Sequence, residues 1–197
     1  MKQHKRLPLA LLLVFALCIQ TLSFTSAAAA LADPEPVFSA SDMTFSSGTD
    51  AVALPQSAVT QLSGLSSGTI IVDFTPTAMS TANCLFSLSN SSVTDAYFNL
   101  YIDNRGFLGL EVRNHGETRY VNLQGPAEVT RNTRHIMALS ADPQEGYKFY
   151  FDGDMVFQMP VALYELWEYD YRFMSTVNSA DVGYMGATYR NGSFGYP

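Results

Sequence analysis

Cysteine, lysine and long apolar runs are all scarce in this 197-residue chain, and each scarcity excludes something. The two cysteines are Cys18 and Cys84. Cys18 falls inside an N-terminal leader, so the mature chain keeps one thiol and has no intramolecular disulfide. Cys84 sits in the apolar run Cys84-Leu85-Phe86, the setting of a buried, inert thiol rather than a nucleophile. His115 and His135, the histidines beyond the leader, are close neither to each other nor to Cys84. No zinc spacing and no nucleophile–base pair results, and nothing calls for a cofactor. Beyond the leader, no segment is apolar enough to cross a membrane.

Residues 1–32 read as a secretory signal. Lys2, Lys5 and Arg6 form its basic start, Leu7 to Ile19 its apolar stretch, and Ala30-Leu31-Ala32 its small-residue cleavage site. The mature chain then begins near Asp33, and the protein is expected to be secreted or held at the cell surface. Export without disulfide staples leans towards a bacterial source. Three of the eleven basic residues leave with the leader, so eight face eighteen acidic ones, a net charge of −10. That balance argues against nucleic acid or an anionic membrane surface as partner. An anionic ligand fits only where arginines are grouped locally. Seven of the eight basic residues are Arg, whose planar fork suits carboxylates, and Lys148 is the eighth.

The lead-in 33–41 is rich in Pro and Ser, and the domain is read as 42–197. A strand is expected around Met43-Thr44-Phe45, and a short helix over Pro55 to Leu62, with Pro at its start and Gly64 as its stop. From Gly68 onward strand follows strand: 69–74, 85–89, 98–102, 108–112, 120–123, 135–139, 147–151, 155–159 and 182–185. Asn, Asp, Gly and Ser clusters divide them, and Asp152-Gly153 marks a tight hairpin. About ten short strands and one minor helix imply an all-β antiparallel sandwich. Leu163 to Tyr171 is aromatic and acidic and is not placed. No closing strand is read before Tyr196-Pro197, so the domain is expected to lack its last strand and leave a sheet edge open.

The most informative pair of strands is Tyr97 to Asp103 and Leu108 to Arg113. Phe98, Leu100 and Ile102 alternate with Tyr97, Asn99, Tyr101 and Asp103; Leu108, Leu110 and Val112 alternate with Gly109, Glu111 and Arg113. Period-two alternation gives one apolar and one polar face. A three-residue loop Arg105-Gly106-Phe107 aligns the apolar faces and sets Tyr101 opposite Glu111 and Asn99 opposite Arg113. The polar face then carries an aromatic hydroxyl, a carboxylate and a guanidinium, a platform for a small ligand with an anionic group and hydrogen-bond donors. A plain solvated ion pair is the alternative for Glu111 and Arg113.

Other clusters have duller readings. Asp152-Gly153-Asp154 is a turn before it is a calcium site. Glu165, Glu168 and Asp170 are a charged loop before they are paired catalytic carboxylates. Ser179-Ala180-Asp181-Val182-Gly183 begins like a sialidase Asp-box but meets Met185-Gly186 where the motif needs Thr and an aromatic, and is read as chance. Asn90-Ser91-Ser92 and Asn191-Gly192-Ser193 fit glycosylation sequons.

Several segments together resemble the lectin-like module at the N-terminus of bacterial sialidases, the family-40 carbohydrate-binding modules. They are Leu62 to Phe74, Leu85 to Asn90, Tyr97 to Tyr101, Leu110 to Asn114 and Tyr189 to Pro197. The resemblance covers roughly residues 42–197 and rests on their order, with Glu-x-Arg followed much later by Arg and Tyr-Pro. It implies a concanavalin A-like jelly-roll β-sandwich with one short helix, and terminal sialic acid on glycans as ligand. It also implies that Arg113 and Arg190 bind the sugar carboxylate and Glu111 its amide or a ring hydroxyl. Tyr101 and Tyr196 would flank the sugar, and Leu88 would touch the acetyl methyl. The chain lacks the later Asp-boxes, the Tyr-Glu pair and the arginine triad of a sialidase propeller. It is therefore expected to be non-catalytic alone, with a downstream catalytic domain making the whole an exo-α-sialidase. A laminin-G-like or other jelly-roll adhesion module, and a small glycosidase or lyase working through Glu165 or Glu168, are the competing readings.

Overall fold

The computed structural model describes residues 35–45, 50–79, 82–117, 120–163 and 172–195. The chain divides into Met1–Pro36, of which the described Glu35 and Pro36 are exposed coil, and Val37–Pro197. Phe38, in the lead-in 33–41, packs against the core.

In chain order the elements are β1 (Val52–Ala53), α1 (Gln56–Leu62), β2 (Gly68–Phe74), β3 (Asn83–Ser89), β4 (Tyr97–Ile102), β5 (Phe107–Arg113), β6 (Tyr120–Glu128) and β7 (His135–Asp142). They continue with β8 (Gly146–Phe151), β9 (Asp154–Met159), a 3₁₀ turn at Phe173–Val177, β10 (Val182–Met185), β11 (Thr188–Arg190) and β12 (Ser193–Gly195). Among the described residues three antiparallel sheets form: β1-β10-β3-β4-β5-β6, β2-β7-β8-β9, and the hairpin β11-β12. The two large sheets share one core, as the jelly-roll sandwich requires. From the first come Leu88, Phe98, Leu100, Leu110 and Val112; from the second, Met137, Leu139, Tyr147 and Phe149. Ala58, Val59 and Leu62 of α1 and Phe173 of the 3₁₀ turn add to it, Phe173 meeting Phe98 edge-on at 5.4 Å.

The expected helix and the strands from Gly68 to Met185 are present, with ends moved by a few residues. Met43–Phe45 is coil rather than strand. β1, β11 and β12 are additions, each only two or three residues long. Asp152 and Gly153 both take positive φ in the β8–β9 turn. The Asp152 carboxylate meets the His135 ring nitrogen at 2.8 Å and accepts from the Ile136 backbone N–H at 2.8 Å, so this acid braces a hairpin. Glu165, Glu168, Asp170 and most of the unplaced segment Leu163–Tyr171 lie outside the described residues.

The β4–β5 register differs from the expected one. The loop has three residues, but they are Asn104, Arg105 and Gly106, closed by Asp103 N–H to Phe107 C=O at 2.9 Å. Glu111 therefore stands opposite Asn99, Arg113 opposite Tyr97, and Tyr101 opposite Gly109. The cause is local. The Asp103 carboxylate accepts from the backbone N–H groups of Arg105 and Phe107 at 2.8 and 3.0 Å, and its other oxygen holds the Arg105 guanidinium at 2.7 Å. Those bonds pin the turn at Asp103 and leave Gly106, with φ of 91°, in the last loop position.

Candidate functional site

Alternation along β4 and β5 leads one to expect a solvated outer face, yet β4 is buried on both sides. The hairpin β11–β12 lies over that face as a strap. Its two-residue turn is Asn191-Gly192, with φ of 47° and 77°, the geometry of a type I′ hairpin. Outward side chains of the sheet bond to the strap. Ser87 Oγ donates to the Ala187 carbonyl at 2.8 Å and Ser89 Oγ to the Tyr189 carbonyl at 2.6 Å. Thr188 Oγ1 donates to Asn99 Oδ1 at 2.9 Å, and the Gly192 N–H donates to the Ser91 carbonyl at 3.1 Å. Tyr184, Tyr189 and Phe194 complete the attachment as three mutually packed rings, with centroids 4.9 to 5.9 Å apart.

Covering the face has a cost. Asn99 is fully buried, and its amide nitrogen has no hydrogen-bond partner among the described residues. Such an orphan costs about 1–3 kcal/mol. Cys84 lies on the same face beneath Thr188; burial pushes its thiol up to about 12, which makes it the inert group expected. Asp181, from the Asp-box-like stretch, takes both the N–H and the hydroxyl of Ser91 at 2.7 Å and so fixes the loop beside the strap.

The strap delivers Arg190. Its guanidinium carbon lies 4.2 Å from the centroid of the Tyr97 ring, and Nη1 donates to the Thr94 carbonyl at 3.3 Å. Tyr97 is 3% exposed and its hydroxyl donates to Glu111 Oε1 at 2.5 Å. Burial, then the bond to the Glu111 carboxylate, raises the Tyr97 hydroxyl well above the usual phenol range. Glu111 keeps only a small exposed fraction, while the Arg113 side chain is 46% exposed, its Nε 3.7 Å from Glu111 Oε1. Arg113, Glu111 and Arg190 thus surround one aromatic side chain, with Arg113 at the solvent edge.

Not every expected site residue joins them. Tyr101 is on the same face but opposite Gly109, where its ring lies so close that a Cβ on Gly109 would sit 2.4 Å from it. It is 7% exposed. Leu88 is a correction: it pairs with Phe98 on the inner face, is fully buried in the core, and has no surface to offer a ligand. Tyr196 lies outside the described residues. Sequence reasoning missed Tyr97 as the hub, and Ser87, Ser89, Asn99 and Thr188 as the seat of the strap. The Asn191-Gly192 dipeptide between Thr-Tyr-Arg and Ser-Phe-Gly was the available signal for the hairpin.

Comparison with known proteins places the domain in a family. The family model described as the sialidase N-terminal domain matches residues 44–197. The chain belongs to the sialidase N-terminal domain family. Among solved structures, this domain resembles the family-40 carbohydrate-binding module of the Ruminococcus gnavus IT-sialidase, with a TM-score of 0.72, 26% identity and coverage of 82% of this chain and 86% of that one. The same module bound to α2,3-sialyllactose matches at 0.63 with 27% identity over 72% of this chain and 75% of that one. Its α2,6-sialyllactose complex matches at 0.62 with 26% identity over 72% and 76%. A curated relative, the anhydrosialidase of Macrobdella decora, is 27% identical over 141 residues, which is 68% of this chain and 18% of that protein. The sialidase N-terminal domain given by this chain therefore spans a minor part of that relative's length.

Proposed function

We propose that this domain binds terminal sialic acid on glycans, has no catalysis of its own, and targets an exported exo-α-sialidase to sialylated surfaces. The observation that carries the reading is the placement of two arginines around Tyr97 beside a carboxylate. Arg113 is its cross-strand neighbour, Arg190 lies over its ring, and Glu111 accepts its hydroxyl. The R. gnavus module at 27% identity, solved with α2,3-sialyllactose, supports it.

Sialic acid carries a carboxylate at neutral pH, several hydroxyls and an acetamido group. Arg113 and Arg190 give charge-assisted bonds to the carboxylate, and Glu111 accepts from the amide or a ring hydroxyl. Tyr196 flanks the sugar, and Tyr101 contributes the edge it leaves exposed. Leu88 has no part. The acidic net charge of the chain is no obstacle, since physiological salt screens surface charge beyond about 8 Å. A ligand of about 20 heavy atoms at about −0.3 kcal/mol each gives about −6 kcal/mol at best. That corresponds to a Kd of tens of micromolar or weaker, so such a module works by avidity or by tethering. Residues 1–32 direct export, the mature chain starts near Asp33, and hydrolysis belongs to a catalytic domain outside this sequence.

The test is an NMR titration of the exported protein with 3′-sialyllactose against lactose. Saturable shifts with sialyllactose alone, weakened at least about tenfold in a folded Arg190→Ala variant, are the expected result. A folded wild-type protein that shifts with neither sugar overturns the reading.

A further inference from the structure

Arg190 and Glu111 come from separate parts of the chain, one on a strap and one on a sheet strand, yet a single buried side chain touches both. Tyr97 puts its hydroxyl on Glu111 Oε1 and its ring beneath the Arg190 guanidinium, and it is itself 3% exposed. We propose that Tyr97 is a positioning residue of the ligand site, holding Glu111 and Arg190 in their binding geometry without touching the ligand. The inference rests on the sialic-acid reading for its ligand but not for its geometry.

Each contact has a separate job. Arg190 ends β11 beside the Asn191-Gly192 turn, so its long side chain leaves a narrow strap with many torsions free. A ring face at 4.2 Å attracts the guanidinium and fixes its plane, and the Thr94 carbonyl holds Nη1 from the side. Glu111 stands on β5 diagonal to Tyr97, within reach of a phenol across the strand pair. The hydroxyl bond sets the rotation of the carboxylate. Burial, then the bond to the Glu111 carboxylate, raises that hydroxyl well above the usual phenol range, so it stays protonated at neutral pH and acts as the donor. The Tyr97 backbone is held on both sides, by β3 and by β5, and its ring is buried. A ligand meeting prepositioned groups loses less freedom on binding.

Two substitutions separate the jobs. Tyr97→Phe keeps the ring and removes the hydroxyl; Tyr97→Leu removes both. Sialyllactose affinity is expected to fall about tenfold in Tyr97→Phe, through loss of a bond to a charged group, and about threefold further in Tyr97→Leu, through loss of the cation–π contact. The independent readout is the ring-current displacement of the Arg190 side-chain resonances, retained in Tyr97→Phe and lost in Tyr97→Leu, with both folds checked by circular dichroism. If Tyr97→Leu does not fold, a nuclear Overhauser contact between the Tyr97 ring and the Arg190 δ-methylene in the wild-type protein decides the geometry. Its absence overturns the inference, as do folded variants that bind as wild type does. A wild-type protein that ignores sialyllactose but shows the contact defeats the ligand assignment and leaves the positioning of Arg190 by Tyr97 standing.

Discussion

The outward faces of the two large sheets are built from the same period-two alternation and meet opposite fates. On the four-stranded sheet the row Ile71, Ala138, Tyr150 and Met155 crosses all the strands. Ile71 is 69% and Met155 53% exposed. On the six-stranded sheet the row Tyr184, Ser87, Asn99 and Glu111 crosses four strands, and both Ser87 and Asn99 are completely buried. Of these two rows the more polar is the covered one, although polarity alone does not decide it: the open face also carries the row Thr69, Ser140, Lys148 and Gln158. The outward hydroxyls of Ser87 and Ser89 bond to strap carbonyls and Asn99 Oδ1 accepts from the strap's Thr188, directional bonds that Ile71 and Met155 cannot supply. A β11–β12 strap can therefore be fixed in one orientation over Ser87, Ser89 and Asn99. What this buries in polar groups it returns as a precisely aimed Arg190.

Substitutions on the three surfaces of this sandwich should break the contrast to different degrees. The largest effect belongs to the shared interior. Leu88→Ala is expected to destabilise the fold by about 3 kcal/mol, as large-to-small changes at fully buried sites do, with sialyllactose affinity unchanged in the protein that stays folded. Denaturant unfolding together with the titration checks both halves. A loss of affinity without loss of stability would return Leu88 to the ligand site.

The strap comes next. Thr188→Val keeps the shape but removes the hydrogen bond to Asn99 Oδ1, beside an Nδ2 that already has no partner among the described residues. A cost of about 1–2 kcal/mol is expected, with weaker sialyllactose binding as Arg190 loses its seat. Amide hydrogen exchange across Thr188–Gly195 should speed up by more than exchange in β7 and β8. The smallest effect is expected on the open face. Ile71→Thr keeps a β-branched side chain at an exposed strand position and should change stability by less than about 0.5 kcal/mol, with no change in the titration. A large loss of stability there would mean that the aliphatic row is covered after all.

Most of the sandwich was legible because strand alternation and turn residues are local signals. What escaped detection was non-local or too short to show a period. β1, β11 and β12 are two or three residues each, and no alternation can be read in so few. The β4–β5 register slipped by one loop position because parity is the same for both alignments; only the Asp103 bonds to Arg105 and Phe107 decide between them. The burial of Asn99 depends on Thr188, far along the chain, so nothing within β4 announces it. Leu88 is the instructive case. Phe86 and Leu88 alternate with Ser87 and Ser89, and that local pattern already aimed Leu88 inward; the family resemblance pulled it outward, and the strand's own periodicity was the better guide. The arginines and Glu111 were readable as residue types, but Tyr97, which connects them, looked like one more aromatic on a polar strand face.

Because Arg190 rides on the strap while Glu111 and Arg113 ride on the sheet, a ligand that touches all three bridges two separately attached layers. Were the hairpin to undock, the apparent affinity of such a ligand would be its intrinsic affinity scaled by the docked fraction, and binding would favour the docked form by mass action. On the proposed reading, Ser87, Ser89, Thr188 and Asn99 would act as a thermodynamic dial, setting how strongly the ligand is held from positions it does not touch.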